Sequence, residues 1–321
     1  MKALVLGATG HIGNAVVREL LDRGYHVTAA YRQPGPRPNL QGLPVDRRPG
    51  DQDSPGQIER WVEGHDLVID AATPYPTNLY NRARAAAERR THELLNAVMR
   101  RGCVFGYVSS FTTLKRASEA MEYWGTNLAM RLHPYFALKQ NLENLVMSAA
   151  DNGLRTVIIN PTMCLGPWDA HDRELCLIPR LLSGEVPGAV NQILNVIDVR
   201  EVANGFVSAV EGERYGQRMI FSGHNISVQN LFSWICEVGE VNSPQWPTMP
   251  ISLTAFTALG IEAVLGIALD DPPVKALAPI LMYQHEWLPP CPAFQELGIP
   301  VRPLYETLRD SINWYRDIDY C

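Results

Sequence analysis

Apolar and polar residues fall into alternating short blocks along the first half of the chain. Residues 1–6 (MKALVL) form an apolar run that ends at a glycine-spaced turn, Gly7 to Gly13, and Asn14–Arg23 follows with helical periodicity. The same rhythm repeats. Tyr25–Tyr31, Leu43–Val45, Asp66–Ala71, Cys103–Ser109 and Thr156–Asn160 read as strands, and Ile58–Glu63, Leu79–Arg101 and Pro134–Asn152 as helices. Pro134 stands in the first helical turn, where its missing N–H costs nothing, and His133 reads as a loop residue at that helix start. Strands alternating with helices predict an α/β fold with a doubly wound parallel sheet covered on both faces. After Pro161 the rhythm loosens. Asn195–Val199 and Arg218–Phe221 read as strands, with helices at Glu201–Glu211, Val228–Val238, Ile251–Leu269 and Tyr305–Arg316. The pattern predicts a dinucleotide-binding domain over 1–162, to which 195–211 returns. A smaller C-terminal substrate-binding region spans 163–194 and 212–321.

Composition narrows this little. The 321 residues are 46% hydrophobic with a net charge of −6, and no long basic run is present. That argues against nucleic acid or an anionic membrane surface as partner. Gly260, Glu262 and Gly266 interrupt the most apolar stretch, so no membrane span is expected. No signal-peptide pattern opens the chain, and the reading is cytoplasmic. The cysteines at 103, 164, 176, 236, 291 and 321 lack metal-binding spacing and read as reduced thiols; no metal site is expected, the mixed run 170–174 included.

Three groups carry chemistry. In the first turn, Gly7 permits a tight bend, Gly10 lets backbone approach a pyrophosphate, and Gly13 lets the helix pack against its strand. The helix N-terminus then offers free N–H groups to phosphates. The second group is Tyr135 and Lys139, four residues apart on one helix face, where an ammonium lowers the phenol pKa and equips it for proton transfer. The third is Ser110, after the fifth strand at the carboxyl edge of the sheet, where a hydroxyl can hold a carbonyl oxygen.

The motifs GATGHIG (7–13), GYHVTAAYR (24–32), GDQD (50–53), DAATP (70–74), VSS (108–110), YFALK (135–139), NPTMCLGPWD (160–169) and RPLYETLRDSINWY (302–315) together resemble the extended short-chain dehydrogenase/reductases. Within that group the chain resembles the NAD-dependent epimerase/dehydratase family, nearest to dihydroflavonol-reductase-like and hopanoid-associated sugar-epimerase-like proteins. The resemblance implies a Rossmann-type sheet and an NAD(P)-dependent oxidoreductase. It implies that Ser110 polarises a carbonyl, that Tyr135 is the general acid, and that Lys139 binds the nicotinamide ribose. It implies a cofactor-binding set of Gly7, Thr9, Gly10, His11, Ile12, Gly13, Arg32, Asp51, Gln52, Ala71, Ala72, Thr73, Tyr135, Lys139, Pro161 and Thr162. Asp51 receives the adenine amino group, although a lone loop aspartate also serves as a turn former. Tyr123, Trp124, Met163 and Trp168 are candidates for the substrate side. Homodimers are frequent among such relatives.

The end of the second strand bears on the cofactor. It carries Arg32 and no acid, which favours NADP(H) over NAD(H), with a solvated loop arginine as the alternative. That in turn favours net reduction of a ketone or aldehyde on a fairly apolar small molecule, flavonoid-like or steroid-like. A nucleotide-sugar epimerase with retained NAD stays open, because Arg173, Arg180, Arg200, Arg214 and Arg218 could meet a diphosphate. A non-catalytic NADP sensor is a third reading, disfavoured by the intact Tyr/Lys pair. The chain departs from the family pattern at Ala87–Thr91, which lacks the usual asparagine, at Leu138 in place of serine, and at Asp198 in place of histidine. No Thr-Asp-Glu dehydratase signature follows the fifth strand.

Overall fold

The computed structural model describes residues 1–32, 38–72, 84–113, 133–171, 176–186, 188–243, 247–249, 251–265 and 288–321; residues 84, 248, 249 and 251–253 are described by their backbone alone. The strands are β1 (Lys2–Leu6), β2 (His26–Tyr31), β3 (Asp46–Pro49), β4 (Leu67–Asp70), β5 (Val104–Val108), β6 (Thr156–Pro161), β7 (Met163–Leu165), β8 (Ala189–Val190), β9 (Ile193–Asp198), β10 (Gln217–Phe221), β11 (His224–Ser227) and β12 (Thr248–Met249). The helices are α1 (His11–Asp22), α2 (Gln57–Val62), α3 (Arg84–Arg101), α4 (Pro134–Asp151), α5 (Leu177–Leu182), α6 (Val199–Glu211), α7 (Val228–Val238), α8 (Ile251–Leu265), α9 (Pro292–Leu297) and α10 (Leu304–Asp317). Seven parallel strands form the large sheet in the order β10-β6-β5-β4-β1-β2-β3. The strand order reverses between β1 and β4, the crevice where doubly wound sheets bind ligands. Strands buried on both faces account for the continuous apolar runs.

Two cores flank this sheet. On one face α1 and α6 bury Val16, Leu20, Phe206 and Val210 against Val5, Ile69 and Ile159. On the other, α2, α3 and α4 bury Trp61, Leu94, Val98, Leu138 and Leu142 against Leu4, Phe105 and Ile158. A third core, under α5, α7 and α10, belongs to a small sheet ordered β11-β9-β7.

Three expectations need correction. The third strand is Asp46–Pro49, not Leu43–Val45. It is an exposed edge strand held by backbone pairing to β2, and Leu43 and Val45 instead pack as loop residues on the first core. Charges and a proline suit an edge that must not recruit another strand. Of the stretch 195–211, expected to return to the dinucleotide-binding domain, α6 packs on the large sheet, but the strand before it does not join that sheet: it pairs antiparallel to β11 and parallel to β7, with Leu194 and Val196 in the third core. Residues 217–221, assigned by the sequence to the smaller region, extend the large sheet beside β6, where Met219 and Phe221 complete the first core.

Gly106 shows how closely α6 lies on the sheet. A Cβ there would stand 2.7 Å from the Phe206 ring and 3.2 Å from Ile69. Phe206→Ala should cost about 3–5 kcal/mol, and Gly106→Ala about 1–3 kcal/mol by overpacking. The two should be coupled: Gly106→Ala should become nearly neutral in the Phe206→Ala background, as read from urea unfolding. Strictly additive losses would contradict this packing.

The start of α4 sets the position of everything it carries. His133 is its N-cap, and the Tyr135 backbone N–H donates to the His133 Nδ1 at 3.3 Å. Burial pushes this imidazole from 6.5 down to about 4. Between those values the unfolded chain binds a proton that the folded chain does not. Stability is therefore full above pH ~6.5 and falls as pH drops towards ~4, where a protonated Nδ1 can no longer accept. His133→Asn keeps an acceptor without titrating, so its Tm should fall less than wild type across that window. Parallel Tm profiles would contradict the assignment.

Candidate functional site

The glycine turn is built by exclusion of side chains. Gly7 sits at φ +75°, and a Cβ on it would lie 2.7 Å from the Ala71 carbonyl oxygen. A Cβ on Gly13 would lie 2.2 Å from the Gly7 oxygen. Gly10 caps α1 with no side-chain hydrogen bond, so the N–H groups of His11, Ile12 and Gly13 open the helix without intrahelical acceptors. This cradle, with helix N–H groups behind it, fits a dinucleotide pyrophosphate. Thr9 lies in the turn itself, its carbonyl accepting from Asn39 Nδ2 at 2.9 Å.

A polar brace behind the turn has no counterpart in the sequence reading. The fully buried Asn14 donates to the carbonyls of Ala8 and Asn39, and Arg18 donates to Asn14 Oδ1 and to the Asn39 carbonyl. Asn39 Nδ2 also reaches the Trp168 carbonyl at 3.2 Å, and the Arg18 guanidinium lies 4.3 Å over the Trp168 ring. Trp168, read as a substrate-side candidate, thus packs on α1 with its backbone at φ +75°. His11 is held neutral by burial, which outweighs the attraction of Asp169. Asp169 hydrogen-bonds His171, and its carboxyl stays well below the usual range because His11 and His171 outweigh its own burial.

At the adenosine end, Arg32 is exposed just after β2, and the Gly50 N–H donates to the Tyr31 carbonyl at 2.9 Å, bringing the 50–53 loop alongside. Asp51 Oδ1 caps its own turn by accepting from the Asp53 N–H at 3.0 Å, and Asp53 pairs with Arg89 and Arg90. Gln52 follows, half-buried. Ala71 and Ala72 end β4 half-buried beside Gly7. Asp70 Oδ1 accepts from the Ala72 N–H at 2.9 Å; burial raises its carboxyl pKa, partly offset by that N–H and by Lys139. Thr73, Tyr123, Trp124 and Arg173 lie outside the described residues.

The carboxyl ends of β4, β5 and β6 lie beside α4: Ser109 and Thr113 after β5 and Asn160 on β6 hydrogen-bond Glu143, and Asp70 at the end of β4 attracts Lys139. Tyr135 and Lys139 are both buried on α4. Burial brings the Lys139 ammonium down to about 8, against the pull of Asp70 and Glu143. Ser110 Oγ accepts from the Thr112 N–H at 3.2 Å and from Thr112 Oγ1 at 2.9 Å, which leaves its own proton to be donated elsewhere. Pro161 ends β6 opposite Phe221. Thr162 is committed inside the protein, its hydroxyl on Asn195 Oδ1 at 2.9 Å. Met163 is half-buried at the start of β7. Asp198 caps α6 and pairs with Arg200, which also binds Asp310; Arg218 binds Glu143 at 3.1 Å. Glu143, Asn160 and Thr113 join the site without having been singled out from sequence. A further step of four residues along the helix from Lys139 would have found Glu143. A Brønsted acid, an ammonium and a hydroxyl donor beside a phosphate cradle can move a proton to or from an oxygen as hydride is exchanged.

Residues 3–221 match the NAD dependent epimerase/dehydratase family. A Synechocystis protein provisionally named dihydroflavonol 4-reductase is 29% identical, with 98% of this chain and 95% of that protein covered. The 2-alkyl-3-oxoalkanoate reductase of Stenotrophomonas maltophilia is 30% identical over 96% and 98% of the two chains. The crystal structure of a nucleoside-diphosphate-sugar epimerase from Pseudomonas aeruginosa superposes with a TM-score of 0.76 at 26% identity, covering 100% of this chain and 99% of that one. No described helix is long and apolar enough to cross a membrane. The chain belongs to the NAD-dependent epimerase/dehydratase family, within the extended short-chain dehydrogenase/reductases, and is an NAD(P)-dependent oxidoreductase.

Proposed function

We propose that this enzyme reduces a ketone or aldehyde on a fairly apolar small molecule, using NADPH. The observation that carries the reading is the joining of α4, with Tyr135 and Lys139, to the turn that holds Ser110, through hydrogen bonds from Ser109 and Thr113 to Glu143. When bound, the nicotinamide supplies the hydride. Ser110 donates its free proton to the substrate oxygen and stabilises the charge that develops there. Tyr135 delivers its phenolic proton to that oxygen. The Lys139 ammonium, with its pKa at about 8, is charged at neutral pH and favours the resulting phenolate. The cradle at Gly7, Gly10 and Gly13 binds the pyrophosphate, with the N–H groups of His11 and Ile12 as donors. Asp51 and Gln52 border the adenine.

Two features support reduction over epimerisation. Arg32 is an exposed cation just after β2, and a guanidinium there can pair with a 2′-phosphate. Arg200 and Arg218, available on paper for a nucleotide diphosphate, are each spent on internal carboxylates. The reductase names of the two curated relatives point the same way, to carbonyls on largely apolar skeletons.

Phenanthrenequinone, a planar activated diketone, is a suitable probe with NADPH consumption as readout. Tyr135→Phe should lower kcat by about two to four orders of magnitude while the Kd for NADPH changes by less than about threefold. Near-normal turnover in that variant, or a wild type inactive with both cofactors, would overturn the mechanism. Arg32→Ala should weaken NADPH binding about tenfold or more and leave NADH binding unchanged, as measured by fluorescence titration. Equal losses for the two cofactors would refute NADP(H) selection by Arg32.

A further inference from the structure

Glu143 is fully buried, two helical turns after Tyr135 and one after Lys139, on the same face of α4. A carboxylate in a protein core is costly unless donors surround it. Here the donors come from four separate places. Its Oε2 accepts from Ser109 Oγ, from Thr113 Oγ1 at 2.5 Å and from Asn160 Nδ2 at 2.7 Å, and its Oε1 accepts from Arg218 Nη1 at 3.1 Å. These donors sit at the end of β5, in the turn after it, on β6 and on β10. A residue that merely fastened α4 to the sheet would need one of them.

The second half of the pattern concerns Ser110. Two of the groups that touch Glu143 also hold the Ser110 backbone carbonyl. Thr113 Oγ1 reaches it at 2.8 Å and Asn160 Nδ2 at 3.0 Å, and these two side chains also touch each other at 3.0 Å. Glu143 is thus the acceptor around which Thr113 and Asn160 are oriented, and through them the carbonyl of Ser110 is fixed. The hydroxyl of the same residue is fixed from the other side by Thr112.

We infer that Glu143 is a positioning residue for the reaction, setting the place of Ser110 opposite Tyr135 and Lys139 through Thr113 and Asn160. The inference rests on the reductase reading given above. It assigns Glu143 no contact with substrate or cofactor. Its effect on turnover passes through Ser110, because a hydroxyl misplaced by a fraction of an ångström holds the reacting oxygen badly.

Glu143→Gln keeps the volume but places an amide NH2 among donors. With phenanthrenequinone and NADPH, kcat should fall about 10- to 100-fold while the Kd for NADPH stays within about threefold of wild type. The decisive readout is the cycle with Ser110→Ala. If Glu143 acts through Ser110, adding Glu143→Gln to Ser110→Ala should lower the low-pH plateau of kcat, where Lys139 is charged in every variant, by less than about threefold further, the charge that Glu143 lends Lys139 showing only as a shift of the pH profile. A full additional loss in the double variant would overturn the inference. If Glu143→Gln does not fold, Thr113→Val serves, since it removes only the hydroxyl that links Glu143 to the Ser110 carbonyl. It should lower kcat about tenfold, with Thr113→Ser restoring it, and should likewise lose its effect in the Ser110→Ala background. Equal activity of the Val and Ser variants would overturn the inference. Tyr135→Phe assayed in parallel separates the two claims. Retained turnover there defeats the reductase mechanism itself, whereas lost turnover there with additive Glu143 and Ser110 effects defeats only the positioning role.

Discussion

Everything in this fold hangs on one close approach, that of α1 to the ends of β1 and β4. The Gly7 carbonyl occupies the space where a Gly13 side chain would stand, and the Ala71 backbone occupies the space beside Gly7. Without side chains at these two positions the helix can start directly over the switch point of the sheet. Its open N–H groups then face the crevice. A single methyl at Gly13 would move α1 outward, and with it the face that packs on α6 in the large core. The brace of Asn14, Arg18 and Asn39 makes sense in this light. A turn built on glycines is held in shape by hydrogen bonds from behind.

The sequence made the strained parts legible and left the relational ones hidden. Gly7 and Gly13 announce themselves because only glycine tolerates their surroundings, and the buried strands announce themselves because both faces are apolar. Tyr135 and Lys139 are legible because a helix converts their spacing into a shared face. The third strand was misplaced because periodicity follows burial, and Asp46–Pro49 pairs by backbone with its side chains in water. Residues 193–198 and 217–221 read equally well as strands, but which sheet each joins depends on distant partners such as Val157 and Ile226. Asn14, Asn39, Glu143 and Asn160 were silent for a related reason. A buried polar residue looks like any surface polar residue until its donors, drawn from other elements, are known.

The electrostatics of α4 run in a single line. Tyr135, Lys139 and Glu143 follow one another at each helical turn, with Asp70 close to the lysine from the end of β4. Burial draws the ammonium down. Asp70 and Glu143 counter this, and the balance leaves Lys139 at about 8, charged at neutral pH but with little margin. The helix thus carries a buried, poorly hydrated cation between two carboxylates. Glu143 has two neighbours to serve, the lysine by charge and the Ser110 turn by hydrogen bonding. The second demands donors on its far side, which is where Ser109, Thr113 and Asn160 stand.

The region that follows β6 is tied to the glycine turn more tightly than a separate substrate module needs to be. Trp168 lies on Arg18 of α1, its carbonyl accepts from Asn39, and the next residue, Asp169, hydrogen-bonds His171 close to His11, the first residue of the same helix. Tyr315, near the end of the chain, adds a hydrogen bond to Asp169 and has its phenol pushed strongly upward by burial. The C-terminal helix therefore reaches the cradle through Asp169. Any movement of this loop moves a buried charge relative to His11. His171 and Tyr315 keep that carboxylate paired on its own side, so the link to the helix start runs through the Trp168 carbonyl and ring as much as through charge. The loop after β6 is for that reason coupled to the shape of the glycine turn before any ligand is bound.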